Sequence, residues 1–241
     1  MAFSSWRGTV GMIMPTMRPG AIEEIIRILP EGISILPLYN NIQRGTREEL
    51  QAVLDGYEAK IKELVEVGGI DLIHPAGAPP FMVHGFAGEQ AIIRGWEAKY
   101  KIPMFTTGMS DCDALRALNV KRFVGITYFT EDLNAMFAQY FRDAGFDCMG
   151  LAGIGVPFDK MQELAPTEIY RFAHQTFLKY PGAEAIYLLG AWRALHILDM
   201  LEQDLQVPAI FSIAAQSWTM QKRLHIRQPK PDLGRLLREM P

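Results

Sequence analysis

The chain has 241 residues, of which 49% are hydrophobic and 21% are charged. These values exclude an intrinsically disordered chain, and the length is enough for one large domain or two lobes. The formal net charge of −3 gives no electrostatic support for binding to nucleic acid or to an anionic membrane.

Neither the cysteines nor the apolar segments indicate a secreted or membrane protein. The two cysteines, Cys112 and Cys148, match neither a C-x-x-C spacing nor a disulfide scaffold. No apolar run approaches the ~18 residues that a membrane span needs. The N-terminal segment "MAFSSWRGTVGMIMPT" lacks the cleavage pattern of a signal peptide, and we interpret it as containing the first strand. We therefore expect a soluble, cytoplasmic protein without a disulfide or a structural zinc site.

Short apolar segments recur along the chain and predict β-strands. They are continuous rather than alternating, which is typical of parallel strands that are covered on both faces. The predicted strands are 9–15, 32–38, 69–77, 102–108, 122–129, 148–155, 183–190 and 207–214.

Amphipathic segments between these strands predict helices. The predicted helices are 46–69, 85–101, 110–120, 130–145, 167–182 and 192–206. The first opens with Thr46 and Glu49 at capping-box spacing, and Ser110 or Asp111 is the expected N-cap of the third. The alternation of strand and helix predicts an open α/β architecture with right-handed crossovers.

The pattern of elements occurs twice. "GGIDLIHPAG" and "GAEAIYLLG" each end a buried strand on glycine, and each is followed by a helix and then by an I/V-P strand, "KYKIPMF" and "DLQVPAI". We predict two Rossmann-like lobes with parallel sheets, related by pseudo-two-fold symmetry. The N-terminal lobe would hold residues 1–117 and 213–241, and the C-terminal lobe residues 118–212. Because ligands bind beyond the carboxyl ends of parallel strands, Gly77 and Gly190 should lie on opposite walls of a cleft between the lobes.

In their order and spacing, these segments resemble the aspartate/glutamate racemase superfamily, and within it the branch of maleate isomerases and arylmalonate decarboxylases. "GMIMPTMRPG" is similar to the first strand and proline loop of that branch, and "PAGAPPFMVHG" to its first binding loop. "LRALNVKRFVGITYFTEDLN", "AIYLLGAWRAL" and "VPAIFSIAAQSW" resemble its later segments. The resemblance covers most of the chain and implies an enzyme that acts on a small carboxylic acid without a cofactor.

The resemblance also implies two thiols that this chain lacks. In the racemases and isomerases, one cysteine follows each matched strand, and the two act as opposed acid and base. The decarboxylases keep the second cysteine, which protonates an enediolate intermediate. The corresponding positions here fall on Gly77 and on or beside Gly190, and neither Cys112 nor Cys148 aligns with them.

Without these thiols, the expected site depends on backbone N–H groups, which stabilise developing negative charge without an ionisable side chain. Trp192 is expected to close the pocket over an apolar or aromatic substituent and to fill the room of the second thiol. The predicted substrate-binding residues are Pro15, Thr16, Gly77, Ala78, Pro79, Thr127, Phe129, Ala191 and Trp192.

Three residues are predicted to take part in the chemistry: Tyr128, His74 and Gly190. The resemblance places a carboxylate-binding tyrosine at Phe129, one residue from Tyr128, and a tyrosine at the mouth of a strand is also often a core residue. His74 has the side chain whose pKa lies nearest neutrality, but its place inside a strand is more typical of a core histidine. The proton for an enediolate would come from His74, Tyr128 or bound water.

Other polar residues have simpler interpretations. Arg18 and Arg44 follow the first two strands and could bind a carboxylate through two hydrogen bonds, but for each one alone a solvated surface charge is the favoured interpretation. The remaining histidines lack metal-ligand spacing, and no nucleotide-binding motif is present. We expect no metal and no cofactor, a small carboxylic acid as the ligand, and no nucleic-acid or membrane partner; a homo-oligomer stays open.

Three functions remain from the sequence. The first is a lyase that decarboxylates or eliminates from a small carboxylic acid through an enediolate. The second is an isomerase or racemase of a small dicarboxylic acid, which the loss of both thiols weakens. The third is a non-catalytic protein that binds a small carboxylate.

Overall fold

The computed structural model describes residues 5–17 and 20–241, which form two parallel β-sheets surrounded by helices. The strands are β1 (Gly8–Met14), β2 (Ile33–Tyr39), β3 (Leu72–Pro75), β4 (Arg122–Thr127), β5 (Asp147–Gly153), β6 (Ile186–Leu188) and β7 (Ala209–Phe211). The helices are α1 (Gly20–Ile28), α2 (Arg47–Ala52), α3 (Leu54–Val67), α4 (Pro79–Met82), α5 (Gly85–Tyr100), α6 (Thr107–Ala117), α7 (Glu131–Asp143), α8 (Pro166–Phe177), α9 (Leu198–Leu205), α10 (Ser212–Arg223) and α11 (Gly234–Glu239). The predicted α/β class with two parallel sheets is confirmed.

The two sheets have the same strand order. The first sheet runs β2-β1-β3, and a parallel bridge between Ile73 and Met104 adds a fourth position. The second sheet runs β5-β4-β6-β7. Each sheet therefore places its first strand in the middle, beside the strand that ends on a glycine loop.

Equivalent backbone hydrogen bonds relate the two sheets in detail. Ile73 N donates to Pro103 O at 3.0 Å, and Ile186 N donates to Pro208 O at 3.1 Å. The two I/V-P segments that the sequence matched therefore occupy the same place in each sheet, and the predicted doubling of the fold is real. The boundaries of the two lobes, at 117/118 and 212/213, stay a prediction.

Several element boundaries differ from the sequence prediction. The segment 102–108 contributes one bridge rather than a strand, because α6 already begins at Thr107. The long helix predicted over 46–69 is interrupted at Val53, and α9 begins at Leu198, after a short 3-10 turn. The last predicted strand ends at Phe211, because α10 begins at the next residue. Helices α1, α4, α10 and α11 were not among the predicted helices.

The helix caps also differ from the prediction in part. Thr46 caps α2 as predicted, with its side chain accepting from Glu49 N. The Glu49 carboxylate, however, accepts from the N–H groups of residues 43–45 and so pins the loop that precedes the helix. Thr106, rather than Ser110 or Asp111, caps α6, and Asp111 is completely buried inside that helix.

Helices α6 and α10 pack against each other, and α10 also packs on α1 beside the first sheet. Two side-chain hydrogen bonds connect these helices to the sheets. His74 on β3 contacts Gln216 on α10, with 3.0 Å between Nε2 and Oε1, and Tyr187 on β6 donates to Asp111 on α6 at 2.5 Å. His74 and Tyr187 occupy equivalent positions in the two sheets, since they pair beside Met12 and Gly125. Each strand therefore bonds to a helix that follows the opposite sheet.

None of the helices in the described ranges is long and apolar enough to cross a membrane.

The buried histidine at this interface predicts an acid-sensitive fold. Burial lowers the pKa of His74 to about 4, against hydrogen bonds to Phe105 O and Gln216 that favour the charged ring. A group whose pKa is lowered in the folded state contributes stability above its ordinary value of 6.5, and this contribution is lost as the pH falls through 4. The free energy of unfolding, measured by denaturant titration, should fall over this window by up to roughly 3 kcal/mol through His74. The variant His74→Gln should lose less stability than the wild type between pH 7 and pH 4.5. His174→Gln on α8 is the control, and equal losses in all three proteins would contradict the prediction.

Candidate active site

A cavity of about 70 Å³ lies where the strand ends of the two sheets meet. Its walls come from the loops after β1, β3, β4 and β6 and from the first turns of α6 and α10. The lining residues are Met14, Pro15, Thr16, Ala21, Ile42, Leu50, Ala76, Gly77, Ala78, Pro79, Pro80, Thr107, Tyr128, Phe129, Phe158, Met161, Leu189, Gly190, Ala191, Ser212, Ile213 and Gln216. The glycine loops that follow β3 and β6 therefore line the same cavity.

Gly77 and Gly190 stand at equivalent positions in the two walls, and both have a backbone that favours glycine. Gly77 has φ +94° and Gly190 has φ +141°. A Cβ at Gly77 would lie 2.9 Å from Pro15 Cγ, and a Cβ at Gly190 would lie 2.2 Å from Tyr128 Cε1. Pro15 and Tyr128 are themselves equivalent, because each follows the central strand of its sheet. Both places where the resemblance implies a thiol are therefore filled by a neighbouring side chain.

The two glycine loops that line the cavity differ in how far their backbone N–H groups are already bonded. Gly77 N donates to Thr107 Oγ1 at 3.0 Å, and Ala191 N donates to the Tyr128 hydroxyl at 3.3 Å. The N–H groups of Ala78 and Gly190 have no hydrogen-bond partner among the residues that the structure describes. The first residues of α6 and α10, Thr107 and Ser212, also line the cavity, so two helix N-termini, which favour negative charge, lie at its wall.

One side of the cavity is aromatic. Tyr128, Phe129 and Phe158 pack against one another, with ring centroids 4.7 to 5.9 Å apart. Trp192 is completely buried and packs edge-on against Tyr128, with centroids 5.0 Å apart. This cluster gives the cavity an apolar aromatic side that suits an aromatic or bulky apolar group.

The described lining residues carry no charged side chain. Their polar side chains are Thr16, Thr107, Tyr128, Ser212 and Gln216. Arg18, which the sequence suggested as a carboxylate ligand, lies outside the described residues. Arg44 is exposed, and its backbone N–H donates to Glu49, which agrees with its interpretation as a surface residue.

Different groups lie behind the two helix N-termini. Behind Ser212, Asp111 Oδ2 lies 3.1 Å from the serine Oγ and accepts from Tyr187. On the side of Thr107, the equivalent positions hold the pair of His74 and Gln216. Burial raises the pKa of Asp111 to about 8, against hydrogen bonds from Tyr187 and Ser212 that favour the carboxylate. One wall is therefore backed by a carboxylic acid and the other by a carboxamide and a neutral imidazole.

The structure brings most of the predicted site residues together. Nine of the twelve line the cavity: Pro15, Thr16, Gly77, Ala78, Pro79, Tyr128, Phe129, Gly190 and Ala191. Their roles in binding or catalysis stay predictions.

The other three, His74, Thr127 and Trp192, are not among the lining residues. His74 is completely buried, and its ring is held between Phe105 O, at 2.8 Å, and Gln216. The Thr127 hydroxyl donates to Asn134 at 2.6 Å and accepts from the backbone of the following loop. Trp192 packs against Tyr128, and both side chains occupy the space beside Gly190: a Cβ there would lie 2.2 Å from Tyr128 Cε1 and 3.1 Å from Trp192 Nε1. His74 and Thr127 are held by buried hydrogen bonds outside the cavity lining.

Both cysteines lie away from the cavity lining. Cys112 and Cys148 are free and buried. Cys112 lies in the second turn of α6. Burial raises the pKa of its thiol well above the usual value, and burial also raises the pKa of Cys148 to about 12. A helix N-terminus can lower the pKa of a thiol, but at Cys112 the loss of solvation outweighs this effect.

The sequence prediction missed Thr107, Ser212 and Gln216. A signal for the first two was present, because "IPMFTT" and "VPAIFS" are the same motif and end on Thr107 and Ser212. Extending the repeat by one or two residues would have placed a hydroxyl on each wall. No comparable signal marks Gln216, which lies inside α10.

Comparison with known proteins identifies the family. The family model for arylmalonate decarboxylase matches residues 10–237. The chain belongs to the arylmalonate decarboxylase family. A search of curated proteins gives no match.

Solved structures of this family and its neighbours share the fold. The maleate isomerase of Pseudomonas putida aligns with a TM-score of 0.88 and 19% identity, over 97% of this chain and 99% of the other. An arylmalonate decarboxylase aligns with a TM-score of 0.81 and 21% identity, over 96% and 99%. The maleate cis-trans isomerase of Nocardia farcinica aligns with a TM-score of 0.83 and 17% identity, over 96% and 98%. At these identities the structures establish the fold, and family membership supports a carboxy-lyase or an isomerase.

The close packing of Tyr128 against Gly190 can be tested by measuring the free energy of unfolding. Gly190→Ala should destabilise the fold by about 1–3 kcal/mol through overpacking against Tyr128, in addition to the backbone cost of a positive φ. In a Tyr128→Ala background the overpacking should disappear, so the two substitutions should be coupled by about 1 kcal/mol or more. Denaturant titration of the four proteins gives this coupling. Gly68→Ala is the control, because Gly68 has φ +75° and open space around it; simple additivity of the Gly190 and Tyr128 substitutions would contradict the packing described here.

Proposed function

We propose that this protein is a cofactor-independent lyase that decarboxylates a small carboxylic acid carrying an aromatic or bulky apolar substituent. The reaction would proceed through an enediolate and without the thiols of related enzymes. The observation that carries the proposal is the cavity between the two glycine loops, whose described lining offers N–H and hydroxyl donors but no charged side chain.

The donors around the cavity suit both the substrate and the intermediate. A carboxylate can accept from the N–H groups of Ala78 and Gly190 and from the Tyr128 hydroxyl. Loss of carbon dioxide leaves an enediolate, whose charge is stabilised by the same fixed donors and by the N-termini of α6 and α10. The apolar remainder of the wall would desolvate the leaving carboxylate, which favours its loss as a neutral gas.

The choice of a lyase over an isomerase rests on the number of proton transfers. A racemase or a two-base isomerase needs an acid and a base on opposite faces of the substrate. Here Pro15 and Tyr128 fill both thiol rooms, and the group behind Thr107 is a carboxamide rather than an acid. Decarboxylation needs one proton, delivered after the carbon dioxide has left, and one wall can supply it.

The aromatic side of the cavity supports the class of substrate. Tyr128, Phe129 and Phe158 form a surface on which an aryl group can pack. The family name adds a specific candidate, since arylmalonates combine such a ring with two carboxylates on one carbon.

A turnover screen tests this function. The purified protein should release carbon dioxide from α-methyl-α-phenylmalonate, and it should leave maleate, hydantoins and α-hydroxy acids unchanged. Tyr128→Phe removes one donor and should lower kcat by roughly 10²–10³-fold. Tyr170→Phe is the control, because the Tyr170 hydroxyl bonds to Asp204 on the surface.

Each alternative has its own outcome in this screen. Conversion of maleate to fumarate would favour the isomerase. Tight binding of the malonate without turnover would favour a non-catalytic carboxylate-binding protein. Full activity in Tyr128→Phe would show that this hydroxyl has no part in the reaction.

A further inference from the structure

A series of hydrogen bonds leads from the cavity into the interior behind its second wall. Ser212 lines the cavity, and its Oγ lies 3.1 Å from Asp111 Oδ2. The Tyr187 hydroxyl donates to the same Asp111 oxygen at 2.5 Å and lies 3.3 Å from Ser212 Oγ. Asp111 has no exposed surface of its own, so Ser212 is its connection to the cavity.

The surroundings of Asp111 favour the protonated acid. Its second oxygen, Oδ1, is buried without a hydrogen-bond partner among the described residues, and an ionised carboxylate with an unpaired buried oxygen is costly. The groups that face it within the described part of the chain carry no positive charge: they are Glu89 on α5, Cys112 on α6, Tyr140 on α7, Tyr187 on β6 and Ser212 on α10. Burial raises the pKa of Asp111 to about 8, and the charge of Glu89 adds to the rise. At neutral pH Asp111 therefore carries a proton, and the Ser212 hydroxyl connects it to the cavity.

Among the described residues of the opposite wall, no acid occupies the position equivalent to Asp111. Thr107 occupies the place of Ser212, but its Oγ1 accepts from Gly77 N. The position equivalent to Asp111 is Gln216, which cannot release a proton near neutral pH. The imidazole of His74 is neutral and held by Phe105 O and Gln216. The two walls therefore differ in whether a protonated acid lies behind the hydroxyl that lines the cavity.

We propose that Ser212 is the catalytic proton donor and that Asp111 supplies it with the proton, in place of the thiol that the family's decarboxylases use. This inference rests on the proposed function and identifies the acid that completes it.

The step is balanced without any further reactant. When the bond between the α-carbon and the departing carboxylate breaks, its electron pair stays on the α-carbon as an enediolate. Ser212 Oγ donates to Asp111 Oδ2 in the structure, so its O–H first turns towards the substrate. It then gives its proton to that carbon, and Ser212 Oγ accepts the proton of Asp111 from Oδ2. The Asp111 carboxylate that results keeps the hydrogen bond from Tyr187, and solvent reprotonates it after the product leaves.

The proposal predicts both the rate and the handedness of the product from α-methyl-α-phenylmalonate. Proton delivery from one wall should give a single enantiomer of the monocarboxylic acid. Asp111→Asn keeps acceptors for Tyr187 and Ser212 but carries no acidic proton, so kcat should fall by about 10²-fold or more. Water would then protonate the intermediate from either side, and the optical purity of the product should fall too. Ser212→Ala should have the same two effects, and Ser212→Thr, which restores a hydroxyl, should recover both in large part.

The pH profile separates proton supply from a structural role. Because the protonated form of Asp111 is the active one, kcat of the wild type should fall as the pH rises through about 8. Glu24→Gln is the matched control, since Glu24 is also a buried acid but lies on α1, where it accepts from Leu195 N. This variant should keep nearly full kcat at pH 6.5, and its kcat should fall at the same pH as that of the wild type. In Asp111→Asn the fall near pH 8 should be absent.

The outcomes distinguish this inference from the function on which it rests. If the wild type gives no carbon dioxide from the malonate, the proposed function is contradicted and the proton pathway with it. If the wild type is active but Asp111→Asn and Ser212→Ala keep its rate, pH profile and product handedness, the pathway is wrong and the lyase stands. If Asp111→Asn does not fold, the comparison of Ser212→Ala with Ser212→Thr decides by the same readouts.

Discussion

The site depends on two buried hydrogen bonds, each of which joins a strand of one sheet to a helix that follows the other sheet. β3 bonds through His74 to α10, and β6 bonds through Tyr187 to α6, so each sheet is attached to the helix that follows the other. With these two hydrogen bonds in place, α6 and α10 pack together, and their first residues line the same cavity as the two glycine loops. If either bond were lost, a buried polar group would remain without a partner, at a cost of roughly 1–3 kcal/mol. The geometry of the cleft is therefore tied directly to the stability of the fold.

The two halves of the site differ in a few side chains, although their backbones are related by two-fold symmetry. The backbone is nearly the same on both sides, down to the bonds of Ile73 and Ile186. The side chains differ: Pro15 faces Gly77 where Tyr128 faces Gly190, and Gln216 stands where the other half has Asp111. A symmetric pair of acids would suit the exchange of a proton between two faces. A single stored proton behind one wall suits a reaction that ends with one protonation.

The strand ends could be predicted from sequence, whereas the acid behind them could not. Apolar runs that stop on glycine are local signals, and their repetition placed Gly77 and Gly190 opposite each other before any contact was known. Asp111 has the local pattern of a helix cap, because it follows Ser110 near the start of an amphipathic segment. Its burial depends on Tyr187 and Ser212, which lie 76 and 101 residues away in the chain. The approach of Tyr128 to Gly190 beside Trp192 likewise depends on packing between residues far apart in the chain, which no pattern along one segment contains.

A crystal structure with α-phenylpropionate, the expected product, tests the central claim most directly. The carboxylate should accept from the N–H groups of Ala78 or Gly190, and the ring should pack on Tyr128, Phe129 and Phe158. The α-carbon should lie within reach of Ser212 Oγ, on the wall that Asp111 supports. A ligand bound outside this cavity, or one whose α-carbon faces Thr107 with Ser212 out of reach, would contradict it.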